Sequence, residues 1–172
     1  MARNVEIKAK VENLQTVLEK ARLLSDWQPE LIKQKDVFFH CANGRLKLRI
    51  FSPAHGELIY YNRSDIAGPK TSSYQITKTD QPSNMRKILA LAYGEKTIVK
   101  KNRTLIMVGR TRIHLDNVKN LGTFVELEVV LEDEESSSSG ELEARELMIK
   151  LGIPENTLIE HAYADLLEKV IS

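Results

Sequence analysis

Charged side chains recur at every second position in several short segments of the sequence, and their types suit the chemistry of phosphate groups. The segments are Glu6 to Lys10, Arg45 to Arg49, Lys101 to Arg103, Arg112 to Asp116 and Glu126 to Glu128. Arginine and lysine donate charge-assisted hydrogen bonds to phosphate oxygens. Glutamates two residues apart project to the same side of a strand, where they can bind Mg²⁺ or Mn²⁺ through oxygen. The pattern predicts a site for a phosphate compound and a divalent cation.

Two arrangements of a sheet would satisfy this alternation. The residues between the charged positions are strongly apolar, as in Val5, Ile7 and Leu127. A sheet could leave its charged face in water, which is the usual reason for such a pattern. Alternatively, the sheet could curl so that the charged face lines an enclosed tunnel while helices cover the apolar face outside. The same alternation of charged and apolar residues recurs in many segments, which favours the tunnel. Its lining would hold mostly cations, whose burial is costly unless a polyanion such as triphosphate completes it.

Period-two alternation dominates the chain and predicts strands joined by short links, as in an antiparallel meander. The predicted strands are Asn4 to Val11, Glu30 to Cys41, Arg45 to Ile50, Glu57 to Arg63, Ser73 to Thr79, Lys96 to Arg103, Leu105 to Val108, Arg112 to Val118 and Thr123 to Leu131. Ala42-Asn43-Gly44 predicts a hairpin, because Asn and Gly tolerate the positive φ of a tight turn.

Four helices are predicted between and after these strands. They run from the cap Asn13 to about Leu24, from Pro82 to Tyr93, from Glu141 to Leu151 and from near Leu158 to Ile171. Gly94 and Gly152 suit helix ends, and the acidic, serine-rich run Glu132 to Ser139 predicts an exposed loop. Strands and helices together predict the α+β class, with enough amphipathic cover for the outside of a barrel.

The composition limits the range of functions. A chain of 172 residues with 42% hydrophobic residues fits one domain, residues 1–172. Its 25 basic and 24 acidic residues nearly cancel, so we expect neither nucleic acid nor membrane as a partner. The absence of a signal-peptide core and of any long apolar stretch predicts a cytoplasmic protein. We expect a monomer or a homodimer. Cys41, the one cysteine, excludes an intramolecular disulfide.

Several motifs follow one another along nearly the whole chain. They are Val5-Glu6-Ile7-Lys8, Gly44 to Arg49, Leu58 to Arg63, Gly68-Pro69-Lys70, Lys101-Asn102-Arg103, Gly109 to Asp116 and Glu126-Leu127-Glu128. In this ordered set the chain resembles the CYTH group of triphosphate tunnel metalloenzymes, which includes class IV adenylate cyclases, thiamine triphosphatases and inorganic tripolyphosphatases. The resemblance implies an eight-stranded antiparallel β-barrel with a charged interior, closed around a triphosphate and a divalent cation.

The chain departs from this group at one position. The group opens with Glu-x-Glu-x-Lys, and aligning its lysine on Lys8 places the second glutamate on Glu6 but puts Asn4 at the first. Aligning on Lys10 instead places a lysine, Lys8, at the second glutamate. We prefer the first alignment because it keeps Glu6 beside Lys8. An amide offers a metal one oxygen without charge, so this substitution bears on metal affinity and on the choice of reaction.

The charge pattern and the resemblance together assign roles to individual residues. Glu6, Glu126 and Glu128 are the predicted metal ligands and belong to the predicted catalytic set, in which Asp116 is a further ligand or a base. The predicted phosphate-binding residues are Lys8, Lys47, Arg49, Arg63, Lys101, Arg103 and Arg112. His114, in phase with Arg112 and Asp116, either bonds phosphate or water or is structural.

The predicted function is a metal-dependent phosphohydrolase with Mg²⁺ or Mn²⁺, acting on inorganic tripolyphosphate or an organic triphosphate such as thiamine triphosphate. A class IV type adenylate cyclase, which makes cyclic AMP and pyrophosphate from ATP, is one alternative. A non-catalytic protein that binds triphosphate or polyphosphate is the other, and Asn4 is its main support.

Overall fold

The computed structural model describes residues 1–171, which form eight β-strands, four α-helices and a 3₁₀ turn at Glu155–Thr157. The strands are β1 (Ala2–Lys10), β2 (Glu30–Phe39), β3 (Arg45–Ser52), β4 (His55–Arg63), β5 (Lys70–Thr79), β6 (Glu95–Val108), β7 (Thr111–Val118) and β8 (Gly122–Val130). The helices are α1 (Leu14–Leu24), α2 (Pro82–Tyr93), α3 (Ser137–Leu151) and α4 (Tyr163–Ile171). Ser172, the last residue of the predicted domain, lies outside the described residues.

The strands close into one antiparallel barrel in the order β1-β5-β4-β3-β2-β6-β7-β8. Strand β1 closes it, because it pairs with β5 on one side and β8 on the other. Glu6 therefore lies opposite Lys70 on β5 and opposite Glu128 on β8. The eight-stranded antiparallel barrel implied by the family resemblance is confirmed.

The apolar face of the barrel lies outside, under helices. Val5 and Ile7 are 0% and 1% exposed and belong to a core that also includes side chains of α1 and α3. Helix α3 comes close to β1 at Gly140, where a Cβ atom would lie 2.9 Å from Val5 Cγ2. On another side, Met85 and Leu89 of α2 pack in a second apolar cluster with residues of β2 and β3. This is the second of the two sheet arrangements, with the charged face enclosed.

Helix α4 closes one end of the barrel from within. Its residues Tyr163 and Leu167 belong to an apolar cluster with Phe38, Val99 and Phe124, which stand on strands β2, β6 and β8. Phe38, Val99 and Tyr163 also line the interior cavity. These three residues give the charged interior an apolar part where α4 closes it.

Several predicted boundaries were wrong, and β5, for example, begins at Lys70 and not at Ser73. Strand β6 is continuous across the predicted break at residue 104. Leu105 faces the interior like Arg103, two residues before it, so the inward positions change from charged to apolar within one strand. Helix α3 begins at Ser137 because the Ser136 hydroxyl caps it by accepting a hydrogen bond from the Ser138 amide. The predicted start of the last helix at Leu158 is wrong.

The segment before α4 runs beside β1 instead of forming a helix. The Ile159 amide donates to the Lys8 carbonyl over 2.8 Å, and Leu158 forms a β-bridge with Ala9. These bonds hold the backbone extended up to the start of α4. Among residues 1–171, no helix has the length and apolar content needed to cross a lipid bilayer.

Candidate functional site

The interior of the barrel holds a cavity of about 410 Å³, to which all eight strands contribute lining residues. All seven residues predicted to bind phosphate line it: Lys8, Lys47, Arg49, Arg63, Lys101, Arg103 and Arg112. Glu6, Glu126 and Glu128, the predicted metal ligands, line it too. The structure thus brings together, from six strands, ten of the eleven residues that the sequence singled out.

Strand β1 presents Asn4, Glu6 and Lys8 to the cavity, whereas Lys10 is exposed at the end of the strand and is not part of the lining. This placement agrees with the alignment that puts Asn4 at the first position of the Glu-x-Glu-x-Lys motif. Asn4 is 4% exposed, and within residues 1–171 its Oδ1 atom has no hydrogen-bond partner. A buried amide oxygen without a donor fits a ligand that supplies positive charge.

Acidic side chains gather where β7, β8 and β1 adjoin. His114, Glu126 and Glu128 each offer one ligand atom, and these atoms lie within 4.8 Å of one another. The His114 Nδ1 atom, which has no hydrogen-bond partner within residues 1–171, lies 3.9 Å from Glu126 Oε1 and 3.8 Å from Glu128 Oε1. Carboxylate and amide oxygens are the donors that Mg²⁺ prefers, so Glu126 and Glu128 could hold such an ion. Asn4, whose partner Val130 lies two residues after Glu128, offers a further oxygen from the neighbouring strand.

Glu6 lies beside this group but is not part of it. Its carboxylate accepts a hydrogen bond from Arg63 Nη1 over 2.9 Å. Burial, and then the nearby charge of Glu126, raise the pKa of Glu6 above its ordinary value despite the guanidinium of Arg63. Burial would also raise the pKa of Glu126, but Lys8, at 3.1 Å, and His114 hold it well below the usual range. The two carboxyl groups therefore differ strongly in their affinity for a proton.

Asp36 of β2 is a lining residue that the sequence reasoning missed. It is 1% exposed and accepts from both Arg49 Nε, over 2.8 Å, and Arg49 Nη2, over 2.9 Å. Lys101 Nζ lies 3.2 Å and Lys47 Nζ 3.6 Å from the same carboxylate. Burial would raise the pKa of Asp36, yet these three cations hold it well below the ordinary value. One carboxylate thus joins three of the predicted phosphate-binding residues.

A signal for Asp36 was present in the sequence. Ile32, Gln34, Asp36 and Phe38 share the inward face of β2. Lys33 and Lys35 of the same strand point outward. Asp36 is therefore an isolated inward charge, whereas the other strands carry charges at successive inward positions.

The two lysines beside Asp36 have unusually low proton affinity. Burial lowers the pKa of Lys101 to about 7, with Arg103 and Arg49 adding to the effect and Asp36 opposing it. Burial lowers the pKa of Lys47 to about 8, with Arg49 adding and Asp36 again opposing. Near neutral pH, the charge of the cavity therefore depends on pH.

Asp116 lies behind the lining, not in it. Its Oδ1 and Oδ2 atoms accept hydrogen bonds from Arg103 Nε and Nη2, each over 2.7 Å, and Oδ2 also accepts from the Tyr163 hydroxyl over 2.8 Å. Asp116 is 0% exposed. Both carboxylate oxygens accept hydrogen bonds, and Asp116 does not line the cavity. It can therefore orient Arg103 and anchor α4 through Tyr163. The sequence had offered this residue as a ligand or base.

Most of the cavity's cations are already paired with carboxylates. Arg112 Nε lies 2.9 Å from Glu128 Oε2, and the other partners are those described above. The expectation of a largely uncompensated cationic lining was therefore wrong, because it omitted Asp36 and treated Asp116 as free. Some hydrogen-bonding capacity remains: within residues 1–171, Arg63 Nε and Nη2 are buried and have no acceptor. Unused guanidinium donors fit an anionic ligand.

Comparison with known proteins places the fold in one family. The profile of the CYTH domain matches residues 2–163. The PH1012 protein of Pyrococcus horikoshii is 19% identical and superposes with a TM-score of 0.81, covering 95% of this chain and 98% of that one. A protein of Vibrio parahaemolyticus named as a proposed adenylate cyclase is 19% identical, with a TM-score of 0.76 and coverage of 96% and 97%.

A third solved structure with this fold comes from Hippeastrum. The protein, HpAC1, is 12% identical, with a TM-score of 0.68 and coverage of 99% and 96%, and is described as a proposed adenylyl cyclase with a dominant triphosphatase activity. A comparison with curated proteins gave no match. At these identities the solved structures show the fold, whereas the domain profile spans most of the sequence. This chain therefore belongs to the CYTH domain family.

Proposed function

We propose that the protein is a metal-dependent phosphohydrolase that binds a triphosphate inside its barrel. One observation carries the proposal: an enclosed cavity of about 410 Å³ in which seven lysines and arginines lie together with a cluster of carboxylates. A triphosphate needs many N–H donors and at least one divalent cation to offset its charge, and this lining offers donors and oxygen ligands together.

Phosphate oxygens would accept hydrogen bonds from the seven cations. Arg49 and Arg103 are held in place by their bidentate bonds with Asp36 and Asp116, so little conformational entropy is lost when a ligand arrives. Arg63 contributes the two N–H groups that have no acceptor among the described residues. Asp36 and Asp116 are in this proposal positioning residues, since they act through the cations they hold.

The metal would be held by Glu126, Glu128 and the Asn4 oxygen. When bound, such an ion draws electron density from phosphate oxygens as a Lewis acid. Lys8 and Arg112 neutralise Glu126 and Glu128 in its absence. The sequence also predicted Glu6 as a ligand. Its hydrogen bond from Arg63 and its raised pKa favour a different task, described next.

In the reaction, water attacks the terminal phosphorus in line, and the bond from that phosphorus to the bridging oxygen breaks. Glu6 takes the proton of the water, because its raised pKa makes it a stronger base than a glutamate in water. The bridging oxygen leaves with the remaining phosphates. Arg49, Arg103 and Lys101 stabilise the charge that develops on the transferred group.

A product assay tests the proposal. The protein would be incubated with tripolyphosphate, thiamine triphosphate or ATP, each with Mg²⁺ or Mn²⁺, and orthophosphate, pyrophosphate and cyclic AMP would be separated. We expect orthophosphate from at least one substrate, and the activity described for the HpAC1 protein of this fold is a precedent. Cyclic AMP from ATP would identify a cyclase instead. Binding without turnover of any substrate would identify a non-catalytic protein.

A further inference from the structure

A second cavity, of about 750 Å³, lies on the outer face of β2 and β6. The β3–β4 turn and the first turns of α2 flank it on one side, and the end of β7 flanks it on the other. We name it the outer groove and define it by Lys33, Lys35, Arg86, Lys100, Lys119 and Phe51. Among the described residues, no aspartate or glutamate contributes to its lining.

The cations of the outer groove repel one another. Lys35 lies directly opposite Lys100 in the pairing of β2 with β6, and like charges at this position destabilise a sheet. The pKa of Lys35 is lowered by partial burial and then by Arg86 and Lys100, with Glu95 opposing them. Arg86 is paired with Glu95, but in residues 1–171 none of the four groove lysines has an ion-pair partner. Local repulsion that the sheet alone does not require is expected at functional sites, and an anion would relieve it here.

The opposite wall of the groove has a different character. It includes Ile50, Phe51 and Pro53, and the Phe51 ring is stacked on His55 with ring centroids 4.7 Å apart. Phe51 is half-buried, so part of its surface is open to a ligand. Lysines beside an accessible aromatic ring are the combination with which proteins bind single nucleic-acid strands, phosphates on the cations and bases on the ring. Inorganic polyphosphate has no group that would use an apolar wall.

We propose that the outer groove binds single-stranded nucleic acid. Its phosphates contact Lys33, Lys35, Lys100 and Lys119, and one base packs on Phe51. Lys33 and Lys35 are roughly 6.6 Å apart along β2, a distance comparable with that between successive phosphates of an extended strand. The near-zero formal charge of the chain had predicted no nucleic-acid partner, but that sum hides this local concentration of lysine. Gln34 and Lys101 border both the groove and the interior cavity, but the five proposed contacts lie outside the lining of the interior cavity, so the proposal does not depend on the proposed hydrolysis.

Fluorescence anisotropy with a labelled single-stranded DNA of about 12 nucleotides tests the proposal. The strand carries a 5′-hydroxyl, so it has no triphosphate for the interior cavity. We expect a dissociation constant between about 1 and 100 μM at low salt. Four lysine-phosphate contacts predict that log K falls with log salt at a slope of about −3. Absence of binding at 0.1 mM protein and low salt, on the order of the weakest non-specific affinities, would overturn the proposal.

Paired variants locate the binding. Lys35→Gln with Lys100→Gln removes two contacts and should weaken binding about 25-fold at about 0.1 M salt, with a slope smaller by about 1.4. Lys78→Gln with Lys150→Gln is the matched control, because both lysines are exposed and lie outside the groove. Its binding should be nearly unchanged. Equal losses in both double variants would show general attraction to a basic surface and would contradict the proposal.

Two further measurements separate the outer groove from the interior cavity. The groove variant should retain turnover and tripolyphosphate binding, and thermal melting should show a fold at least as stable as before, since a repulsive pair is gone. Arg49→Ala, an interior change, should leave the affinity for DNA unaltered. If Arg49→Ala abolishes DNA binding, the strand is held in the barrel and the outer groove is not its site.

The role of the bases is tested with a strand of abasic nucleotides. Phe51→Leu keeps an apolar side chain but removes the ring, and should weaken binding of the normal strand at least about fivefold while leaving the abasic strand unaffected. Equal affinity of the native protein for normal and abasic strands, or for a duplex of the same length, would overturn the assignment to single-stranded nucleic acid. Such a result would identify the groove as a site for phosphate chains in general.

Discussion

Asp36 holds three cations of the interior cavity at once while only 1% of its own surface is exposed. A buried carboxylate in this position does two things. It stabilises the fold without ligand, because Arg49, Lys47 and Lys101 would otherwise repel one another. It also fixes the place of each cation before a ligand arrives.

Replacing this residue, Asp36→Asn, should therefore destabilise the apo protein by about 3–5 kcal/mol, the usual cost of breaking a buried ion pair from one side. Tripolyphosphate should restore much of that loss, since it supplies negative charge to the same cations. Thermal melting with and without tripolyphosphate measures both effects. The shift caused by the ligand should be larger in the variant than in the native protein. Asp133→Asn, at an exposed position, is the control, and equal shifts in all three proteins would refute this account of Asp36.

Glu128 and Glu6 should have separable roles, metal binding for Glu128 and proton transfer for Glu6. Glu128→Gln should weaken Mn²⁺ binding, whereas Glu6→Gln should leave Mn²⁺ affinity within about threefold and lower kcat by roughly 10²-fold or more, as expected for loss of a general base. Titration calorimetry gives the metal affinity, and steady-state kinetics at saturating metal give kcat. Loss of Mn²⁺ affinity in Glu6→Gln would return Glu6 to the role of ligand that the sequence predicted.

Residue positions within the site were largely predictable, because strand periodicity alone decides which side chains share a face. Lys47 and Arg49, for example, follow from the alternation of β3. Asp36 and Tyr163 did not follow. Asp36 meets its three cations only because strands β2, β3 and β6 are neighbours, and Tyr163 reaches the cavity only because of the path of α4. Both are tertiary arrangements that a local sequence pattern does not specify.

At the scale of elements, the close approach of α3 to β1 depends on one glycine. A side chain at Gly140 would bring its Cβ atom within 2.8 Å of Leu131 Cδ2 and 2.9 Å of Val5 Cγ2. Both neighbours are buried apolar side chains of the outer core, so neither can move away freely.

The variant Gly140→Ala should lower the free energy of unfolding by about 1–2 kcal/mol, because overpacking outweighs the gain in helix propensity. Chemical denaturation measures the change. Glu146→Ala, at an exposed position of the same helix, should stay within about 0.5 kcal/mol. Equal or greater stability of Gly140→Ala would mean that α3 and β1 separate easily.

The elements themselves were well predicted where local signals exist. Asn13 caps α1 by accepting from the Thr16 amide, and Gly94 ends α2 with φ of 78°, as their types suggest. The errors before α3 and α4 have a different origin. The extended path of Leu158 and Ile159 is imposed by bonds to β1, and such tertiary contacts override helix propensity.

At the scale of the whole molecule, ligand binding should be coupled to protons. Lys101 and Lys47, with pKa values of about 7 and about 8, are partly neutral at pH 8. A bound triphosphate favours their charged forms and raises both pKa values. Binding at pH 8 should therefore take up about one proton per protein. Titration calorimetry in buffers of different ionisation enthalpy measures this number.

The uptake should vanish below about pH 6, where both lysines are already protonated, and should be reduced in Lys101→Met. The same pKa values affect the apo fold with a definite sign. Both lie below the value of about 10.4 for an unfolded chain, so the unfolded state binds more protons in the window from pH 7 to about 10. The contribution of these lysines to stability therefore increases with pH across that window. Proton release on binding at pH 8 would contradict the assignment of these lysines to the ligand.

If the proposed hydrolysis takes place in the barrel, the closure of one end by α4 constrains the order in which substrate enters and products leave. A cavity with a blocked far end admits a linear substrate by one terminus, and whatever is formed at the bottom can depart only after the part nearer the mouth has left. If the terminal phosphoryl group enters first, orthophosphate is the last product to leave. Free orthophosphate would then be a competitive inhibitor of substrate binding. Product release and substrate entry would use the same opening, and the rate of this exchange would limit turnover.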